Sequence, residues 1–511
     1  MSTTTRVIKN TGFLYIKMGV TVFISLYTTR LILASLGASD FGVFNIVGGA
    51  ITMLGFLNCT MVNVTQRFMS YAEGAGDLVL KRKVFNVSFV LHVGIATATA
   101  IILLAAMYPF FHGILNIPHE RLFAAEMVYV CTLISTLLTI INVPYDAVMN
   151  AHENMLYYSL IGIFESILRL AVALAVVTAT GDKLIVYGAL TALIPLVTLS
   201  IMKVYCHRKY DECVFGIRTY WDGSLVKRIA SFFSWNFLTA ISSLASFYGG
   251  NVVVNHFFGT VANAAQGIAS QINGQLSNLS LNLMKAVNPI ITKRAGSGDV
   301  EAMNRASLQG SRYSTLLIVL FSVPFILEMH YVLSIWLKEV PEWTTLFCAM
   351  QLVVTVVCQM ASSQATAIYA EGHIKWYAIY KSLMNFLPVV ATYAAFALGA
   401  APYWFYIFMI LIWSIGGDMV IVHYARTLCH LRVMDFVRIA VMPVMAVSAL
   451  MFAGGYVSVS MLPEGFIRLI VTCCVTTLIF GLSIWFLVLT KHDRERVVKA
   501  IKKRRNRKSS L

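Results

Sequence analysis

The feature that most constrains this chain is a series of long apolar runs that recurs along its whole length between short polar breaks. A bilayer core of ~30 Å needs about 20 mainly apolar residues per helix. Because lipid-facing backbone is satisfied only in helices or closed barrels, and alternating ten-residue strands are absent from the sequence, we predict an all-α polytopic membrane protein. Fourteen spans are expected, near 11–36, 42–68, 84–110, 122–145, 155–178, 184–205, 229–256, 262–292, 314–336, 344–369, 376–398, 403–425, 438–460 and 467–490.

The distribution of basic residues predicts the orientation, since short loops rich in Lys and Arg are retained in the cytoplasm. With the N-terminus placed there, 28 of the 39 Lys and Arg residues lie on the cytoplasmic side and only four on the other. Both termini are therefore expected to be cytoplasmic. The formal charge of +16 then reflects topology and not nucleic-acid binding, and the basic tail 491–511 is expected to contact anionic membrane lipids.

An internal repeat organises the chain. The loop SYAEGAGD (70–77) matches TKRAGSGD (292–299) at an offset of 222 residues, and NAHENMLYYSL (150–160) resembles YAEGHIKWYAI (369–379) at 219. Six spans per copy give a parallel repeat, whose substrate cavity is expected between the halves. The predicted regions are an N-terminal lobe 1–205, a cytoplasmic connector 206–228, a C-terminal lobe 229–430, two extra spans in 431–490 and the tail 491–511.

Span 8 carries a row of polar side chains that lipid would solvate badly. At 100° per residue the row falls within an arc of about 80°. Hydrogen bonding between helices would explain any single amide, but for the whole row we favour a cavity lining, because carboxamides and a cation suit sugar hydroxyls and phosphate oxygens. The members are Gln271, Gln275, Asn278, Asn282 and Lys285. The repeat aligns Asn63 with Lys285, and Arg67 follows on the adjoining face as a further candidate or a positive-inside anchor.

Five charged residues lie inside other spans, where a charge costs on the order of 3 kcal/mol. Arg30 and Lys17 on span 1 are roughly 140° apart on an ideal helix, and each is expected either to line a cavity or to snorkel to the interface. Glu165 and Arg169 are adjacent on one face of span 5 and form either a structural ion pair or a functional one. Asp418, together with Glu165, is a candidate for coupling transport to an ion.

No sequence pattern supports catalysis, a metal site or a cofactor. The chain contains no H-E-x-x-H, G-x-S-x-G or G-x-x-x-x-G-K-[ST] motif. The predicted external loops are short, between about four and twelve residues, so an enzyme would have little backbone outside the bilayer from which to build a site. We therefore expect a protein that is not an enzyme.

The stretches 10–58 (NTGFLYIKMGV…MLGFLN) and TQRFMSYAEGAGD (65–77) resemble the O-antigen and polysaccharide flippases of the multidrug/oligosaccharidyl-lipid/polysaccharide exporter (MOP) superfamily. The resemblance implies two six-helix lobes in a V with two added helices, residence in the bacterial inner membrane, and movement of an undecaprenyl-pyrophosphate-linked oligosaccharide to the periplasmic leaflet. It also implies that Arg30 and Lys17 engage the pyrophosphate.

Partners implied by the resemblance are the lipid-linked substrate, membrane lipids and other glycan-assembly membrane proteins, with the coupling ion left open between a proton and sodium. Spans 13 and 14 are expected to form a groove for the prenyl chain, as the added helices do in related lipid II flippases. The alternatives are an ion-coupled multidrug or metabolite exporter of the same superfamily, a membrane-embedded glycan polymerase or ligase, and a scaffold that transports nothing.

Overall fold

The computed structural model describes residues 3–53, 55–114, 117–337, 339–489 and 494–495. The basic tail predicted over 491–511 lies outside the described residues apart from two of its positions. Every regular element in the described part of the chain is helical. The all-α prediction is therefore confirmed.

The helices of the first half of the chain are long, and most have the length of a membrane span. They are α1 (Thr3–Met53), α2 (Gly55–Ala75), α3 (Leu78–Pro109), α4 (Leu122–Ala151), α5 (Met155–Thr178), α6 (Lys183–Lys209), the short α7 (Ile217–Tyr220) and α8 (Gly223–Gly296).

The second half alternates long helices with short ones. They are α9 (Val300–Leu327), α10 (Met329–Trp336), α11 (Thr344–Met360), α12 (Ser362–Glu371), α13 (Lys375–Ala397), α14 (Trp404–Phe408), α15 (Gly417–Cys429), α16 (Val433–Asp435), α17 (Met442–Met461) and α18 (Phe466–Ser483). Wider π-helical turns precede or follow several of them, as at Met409–Gly416.

Local sequence explains where several helices begin. Asp77, Asp182 and Asp222 each accept hydrogen bonds from two backbone N–H groups at the starts of α3, α6 and α8. Such N-caps satisfy donors that have no partner within the helix. The polar breaks between apolar runs thus set the helix boundaries.

Eleven helical stretches among the described residues are long and apolar enough to cross a membrane. One of them, Gly223–Gly296, has 74 residues and contains predicted spans 7 and 8. The eleven stretches therefore contain twelve of the fourteen predicted spans. Predicted spans 2 and 11 correspond to helical segments outside the eleven.

Backbone conformation repeats at the offsets found in the sequence. Left-handed φ values occur at Gly37 and Gly259, which are 222 residues apart and break α1 and α8 into two helical parts each. The same offset relates Gly76 to Gly298 in the two matching loops. Glu153 and Gly372 also have positive φ values, at the offset of 219. These matches support the predicted duplication.

The chain forms two compact units whose boundaries differ from those of the predicted lobes. The first unit comprises 1–240, 285–303 and 369–375, and the second comprises 241–284, 304–368 and 376–511. The end of α8 belongs to the first unit because Ala286 packs in a small apolar cluster with Leu14 and Met155. The second unit includes α17 and α18, which pack on each other and share a core with α9.

Candidate functional site

A polar cavity of about 480 Å³ lies within the first unit, among α1, α5 and α6. Hydroxyl groups and three charged side chains dominate its wall. The lining residues are Lys17, Thr21, Ile24, Ser25, Thr28, Thr29, Ile32, Phe41, Gly162, Glu165, Ser166, Arg169, Tyr187 and Thr191. Most of those on α1 recur every three or four residues and so share one face of the helix.

Lys17 reaches the cavity because α5 has no side chain at Gly162. A Cβ atom at that position would lie 2.1 Å from Lys17 Cε and 2.6 Å from its Nζ. The lysine stem therefore lies directly against the backbone of α5. This close approach requires glycine at position 162.

Two lysines meet at one tyrosine ring beside the cavity. Lys17 Nζ lies 4.2 Å from the ring centre of Tyr158, and Lys285 Nζ lies 3.8 Å from it. Lys285 also donates a hydrogen bond of 2.5 Å to the Tyr158 hydroxyl. The two ammonium groups are therefore no more than about 8 Å apart. Such a pair can hold a doubly charged anion such as a phosphate.

Asp146 on α4 is a member of this cluster that the sequence analysis missed. Its carboxylate attracts both Lys17 and Lys285 and is repelled by Glu165. The residue lies one position beyond predicted span 4 and is not among the predicted site residues. The sequence did contain a signal for Asp146. It is an acidic residue within one turn of the end of a span, on the predicted cytoplasmic side, where basic residues of neighbouring spans also lie.

Glu165 and Arg169 form an ion pair along α5, with 2.7 Å between Arg169 Nη2 and Glu165 Oε1. Both also line the cavity. The pair is therefore part of the cavity wall, and its functional role stays a prediction. Arg30, by contrast, is exposed and is not among the lining residues, in keeping with its different face from Lys17.

Arg67 is buried, and its contacts are with the protein itself. Nε donates to the carbonyl oxygen of Tyr369 at 3.0 Å, and Nη2 donates to that of Ala370 at 2.5 Å. Its guanidinium also contacts three aromatic rings, those of Phe68, Tyr71 and Phe232. These contacts connect α2 with the end of α12. Asn63, one turn earlier on α2, is exposed.

The amide row of predicted span 8 lies on α8. Gln271, Gln275 and Asn278 are exposed, and Asn282 is half-buried. Asn282 Nδ2 donates to the backbone oxygen of Asn278 at 2.9 Å. Only Lys285, the last member of the row, is placed in the basic cluster around Tyr158.

Asp418 lies in the second unit near a half-buried lysine. The carboxylate on α15 attracts the ammonium of Lys381 on α13. Lys381 Nζ lies 3.5 Å from the carbonyl oxygen of Trp413 and would be 2.2 Å from a Cβ placed on Gly417. As at Gly162, a glycine makes room for a lysine inside a helical bundle.

A third polar cluster consists of Glu73, His152 and Glu212, whose ligand-type atoms lie within 4.8 Å of one another. His152 Nε2 lies 2.5 Å from Glu212, whereas Nδ1 lies 3.4 Å from Glu73. The two carboxylates are approached by different ring nitrogens of His152, and one metal ion cannot bind both nitrogens of a single imidazole. Burial raises the pKa of Glu212, but the hydrogen bond and the attraction from His152, together with a backbone hydrogen bond and the charge of Lys81, lower the pKa below its usual value. The cluster is an imidazole bridging two carboxylates.

A buried ion pair connects the last two helices, α17 and α18, to the rest of the second unit. The Glu328 side chain is fully buried and receives hydrogen bonds of 3.0–3.1 Å from Arg468 on α18. Thr472 donates a further bond of 2.8 Å. The appended helices α17 and α18 are thus held by a satisfied buried charge as well as by apolar contacts.

Comparison with known proteins shows the fold. No protein-family model and no curated protein matches the chain. A solved multidrug resistance MATE family transporter of the MOP superfamily, in an outward-facing conformation, covers 85% of this chain and 97% of its own, with a TM-score of 0.69 at 14% identity. A MATE structure in the bent conformation gives 0.68 at 16% identity, covering 84% and 97%.

A third match is a MOP superfamily transporter from Pyrococcus furiosus, described as having a binding pocket of reverse polarity that suggests a different function. Its TM-score is 0.66 at 16% identity, covering 83% of this chain and 97% of its own. The chain therefore has the MATE transporter fold, as a polytopic all-α membrane protein. Within that class, this chain carries a basic cluster of Lys17, Lys285 and Tyr158 beside a polar cavity.

Proposed function

We propose that this protein is a flippase that moves a lipid-linked oligosaccharide with an anionic pyrophosphate from the cytoplasmic to the periplasmic leaflet by alternating access. The convergence of Lys17 and Lys285 on Tyr158 carries the proposal. Two cations held together at membrane depth are costly unless anions compensate them. The single carboxylate of Asp146 acts on both lysines, and a pyrophosphate in transit supplies the compensation that remains.

The cavity supports the sugar part of the proposal by its chemistry. Threonine and serine hydroxyls, with Glu165 and Arg169, offer both donors and acceptors to a glycan. Its volume of about 480 Å³ lies in the range of small-ligand sites, so it suits a phosphate or one sugar and not a whole lipid-linked unit. Under this proposal the remainder of the substrate is contacted by the exposed residues Gln271, Gln275, Asn278, Asn63 and Arg30 and by the half-buried Asn282. Arg67 is engaged by backbone carbonyls and supports the site from within the protein.

An ion-coupled exporter of cationic drugs is the alternative that the fold equally permits. A cationic cargo requires a net acidic site, whereas Lys17, Lys285 and Arg169 outnumber Asp146 and Glu165 here. The Pyrococcus transporter described as having reversed pocket polarity indicates that pocket charge differs among proteins of this fold. The basic cluster therefore favours anionic cargo.

Coupling to a proton or sodium ion requires a carboxylate that changes its charge or its contacts. Glu165 and Asp418 remain candidates, and Asp146 joins them because its charge acts on both lysines of the cluster. For α17 and α18 we retain the proposed role in accommodating the prenyl chain. We also propose residence in the bacterial inner membrane with both termini in the cytoplasm, alongside other glycan-assembly proteins.

The test uses purified protein reconstituted with a fluorescent undecaprenyl-pyrophosphate-linked oligosaccharide, whose arrival in the opposite leaflet is followed with an impermeant quencher. Lys17→Gln and Lys285→Gln should each slow flipping by at least about tenfold, the loss expected for a charge-assisted contact. Arg30→Ala tests the exposed cation in the same way.

Lys227→Gln removes an exposed cation outside the polar cavity, so this variant is the matched control and should flip at the wild-type rate. Wild-type flipping by both cluster variants would overturn the site. Wild-type efflux of a cationic dye, with no flipping, would establish the exporter alternative.

A further inference from the structure

A second cavity of about 560 Å³ lies in the first unit and shares no lining residue with the polar cavity. It is formed by the last turns of α6 and the first turn of α5. Its wall consists of Tyr157, Ser200, Ile201, Val204, Tyr205, Arg208 and Lys209. Nothing in the transport proposal uses these residues.

The chemistry of this wall changes in order along α6. Residues 200, 204 and 208 are four apart, as are 201, 205 and 209, so all six share one face. Ser200 comes first, with its hydroxyl bonded to the backbone oxygen of Leu196. Apolar Ile201 and Val204 follow, then Tyr205, and Arg208 and Lys209 end the helix. From Ile201 to Arg208 the helix rises about 10 Å. The order apolar, aromatic, basic is that of the acyl chain, interface and phosphate of a phospholipid.

Two stacked tyrosines form a rigid part of the groove wall. The rings of Tyr157 and Tyr205 lie 3.6 Å apart between centres with planes 13° from parallel. The Tyr205 hydroxyl accepts a hydrogen bond of 2.7 Å from Asn154, the N-cap residue of α5. The groove is therefore a preformed feature where the two helices meet.

The basic end of the groove is available to an anion. Arg208 and Lys209 are exposed, and within the described part of the chain neither has a salt bridge or a side-chain hydrogen bond. The helix dipole places only about half a negative charge at the C-terminus of α6. It therefore attracts both cations but compensates their charge only in part. Two cations therefore retain excess positive charge at the end of a span that is predicted to be cytoplasmic.

We propose that this groove binds one anionic phospholipid, with its phosphate at Arg208 and Lys209 and an acyl chain along Ile201 and Val204. Basic pockets at the cytoplasmic ends of transmembrane helices are suited to anionic lipid head groups. The proposal rests on the groove and the predicted topology, and it is independent of the transported substrate.

The test measures lipid retention by native mass spectrometry on the full-length protein, released from nanodiscs that contain equal amounts of phosphatidylglycerol and phosphatidylcholine. The wild type should retain phosphatidylglycerol preferentially. The double variant Arg208→Gln/Lys209→Gln should lose that preference by about tenfold, because each cation contributes to phosphate affinity. Val204→Trp, which fills the apolar part, should lower retention with both charges intact.

Lys227→Gln removes an exposed cation from the same predicted side and should retain lipid as the wild type does. Equal retention of both lipids by the wild type would overturn the proposal, as would unchanged retention in the double variant. A separate thermal-shift arm uses glycerol phosphate. If this soluble head group stabilises the protein as much as phosphatidylglycerol does, the groove is a phosphate site and the lipid proposal is wrong.

Discussion

Gly162→Ala should displace Lys17 without disturbing the fold. The new Cβ would lie 2.1 Å from Lys17 Cε, 2.6 Å from Nζ and 3.0 Å from Cδ. Ordinary contact requires roughly 3.5–4 Å, so the end of the lysine must move by more than about 1 Å. All three atoms belong to a flexible side chain, and none belongs to backbone. The ammonium group therefore leaves its position 4.2 Å from the Tyr158 ring centre.

The expected change in unfolding free energy is small because two effects oppose each other. Alanine in place of glycine stabilises a helix interior by roughly 1 kcal/mol, whereas loss of the cation–ring contact costs about 0.5–2 kcal/mol. The net change is thus within about 1 kcal/mol. Flipping should nevertheless fall by nearly as much as in Lys17→Gln, because both variants remove the ammonium from the cluster.

Thermal unfolding in detergent and flipping in proteoliposomes measure the two quantities on one preparation. Gly94→Ala is the matched control, since a Cβ on this α3 glycine would meet nothing within 4 Å. It should be neutral or stabilising and fully active. A Gly162→Ala protein that flips normally would refute the importance of the Lys17 position. Combining it with Lys17→Gln should add no further loss, because the two changes act on one interaction.

Three further predictions concern stability. Arg468→Leu leaves the buried Glu328 carboxylate without its guanidinium and should cost about 3–5 kcal/mol; a thermal midpoint equal to that of the wild type would contradict this role. Burial raises the pKa of Asp182, but hydrogen bonds from Arg121 and from the backbone at the start of α6, together with the charge of Arg121, lower it overall. The ionised carboxylate therefore stabilises the fold above its unfolded pKa and loses this effect as pH falls through the folded pKa. Asp182→Asn should therefore be less stable by about 1–2 kcal/mol at neutral pH, and this difference should vanish once the pH falls below the lowered folded pKa, as pH-dependent unfolding can show. Gly259→Ala should cost about 1–3 kcal/mol, because φ 74 and ψ −166 suit only glycine, and an unchanged midpoint would exclude that conformation.

The order of the helices followed from the sequence because hydropathy and capping are local properties. Each span depends on a run of apolar residues, and the starts of α3, α6 and α8 depend on single aspartates. The internal repeat was also predicted from the sequence, from its matching segments. Its offsets of 222 and 219 reappear in the backbone at Gly37 with Gly259 and at Glu153 with Gly372.

The candidate site was only partly predictable. Their positions within apolar spans indicated that four charged residues need a partner inside the membrane. These residues are Lys17, Lys285, Glu165 and Arg169. Which partner each would meet was decided by the tertiary structure, since Tyr158 and Lys285 are 127 residues apart in sequence. The same holds for Arg67, whose environment of backbone carbonyls and aromatic rings has no local signature.

The sequence by itself thus determined the fold class, the approximate positions of the spans and the residues too polar for lipid, because insertion energies act on each segment separately. Tertiary packing decided which polar residues meet. The space left by Gly162 brings Lys17 against α5, the apolar contacts of Ala286 place Lys285 in the first unit, and Asp146 acquires a role through its neighbours. Such contacts depend on helix rotation and register, which the packing of several helices sets together.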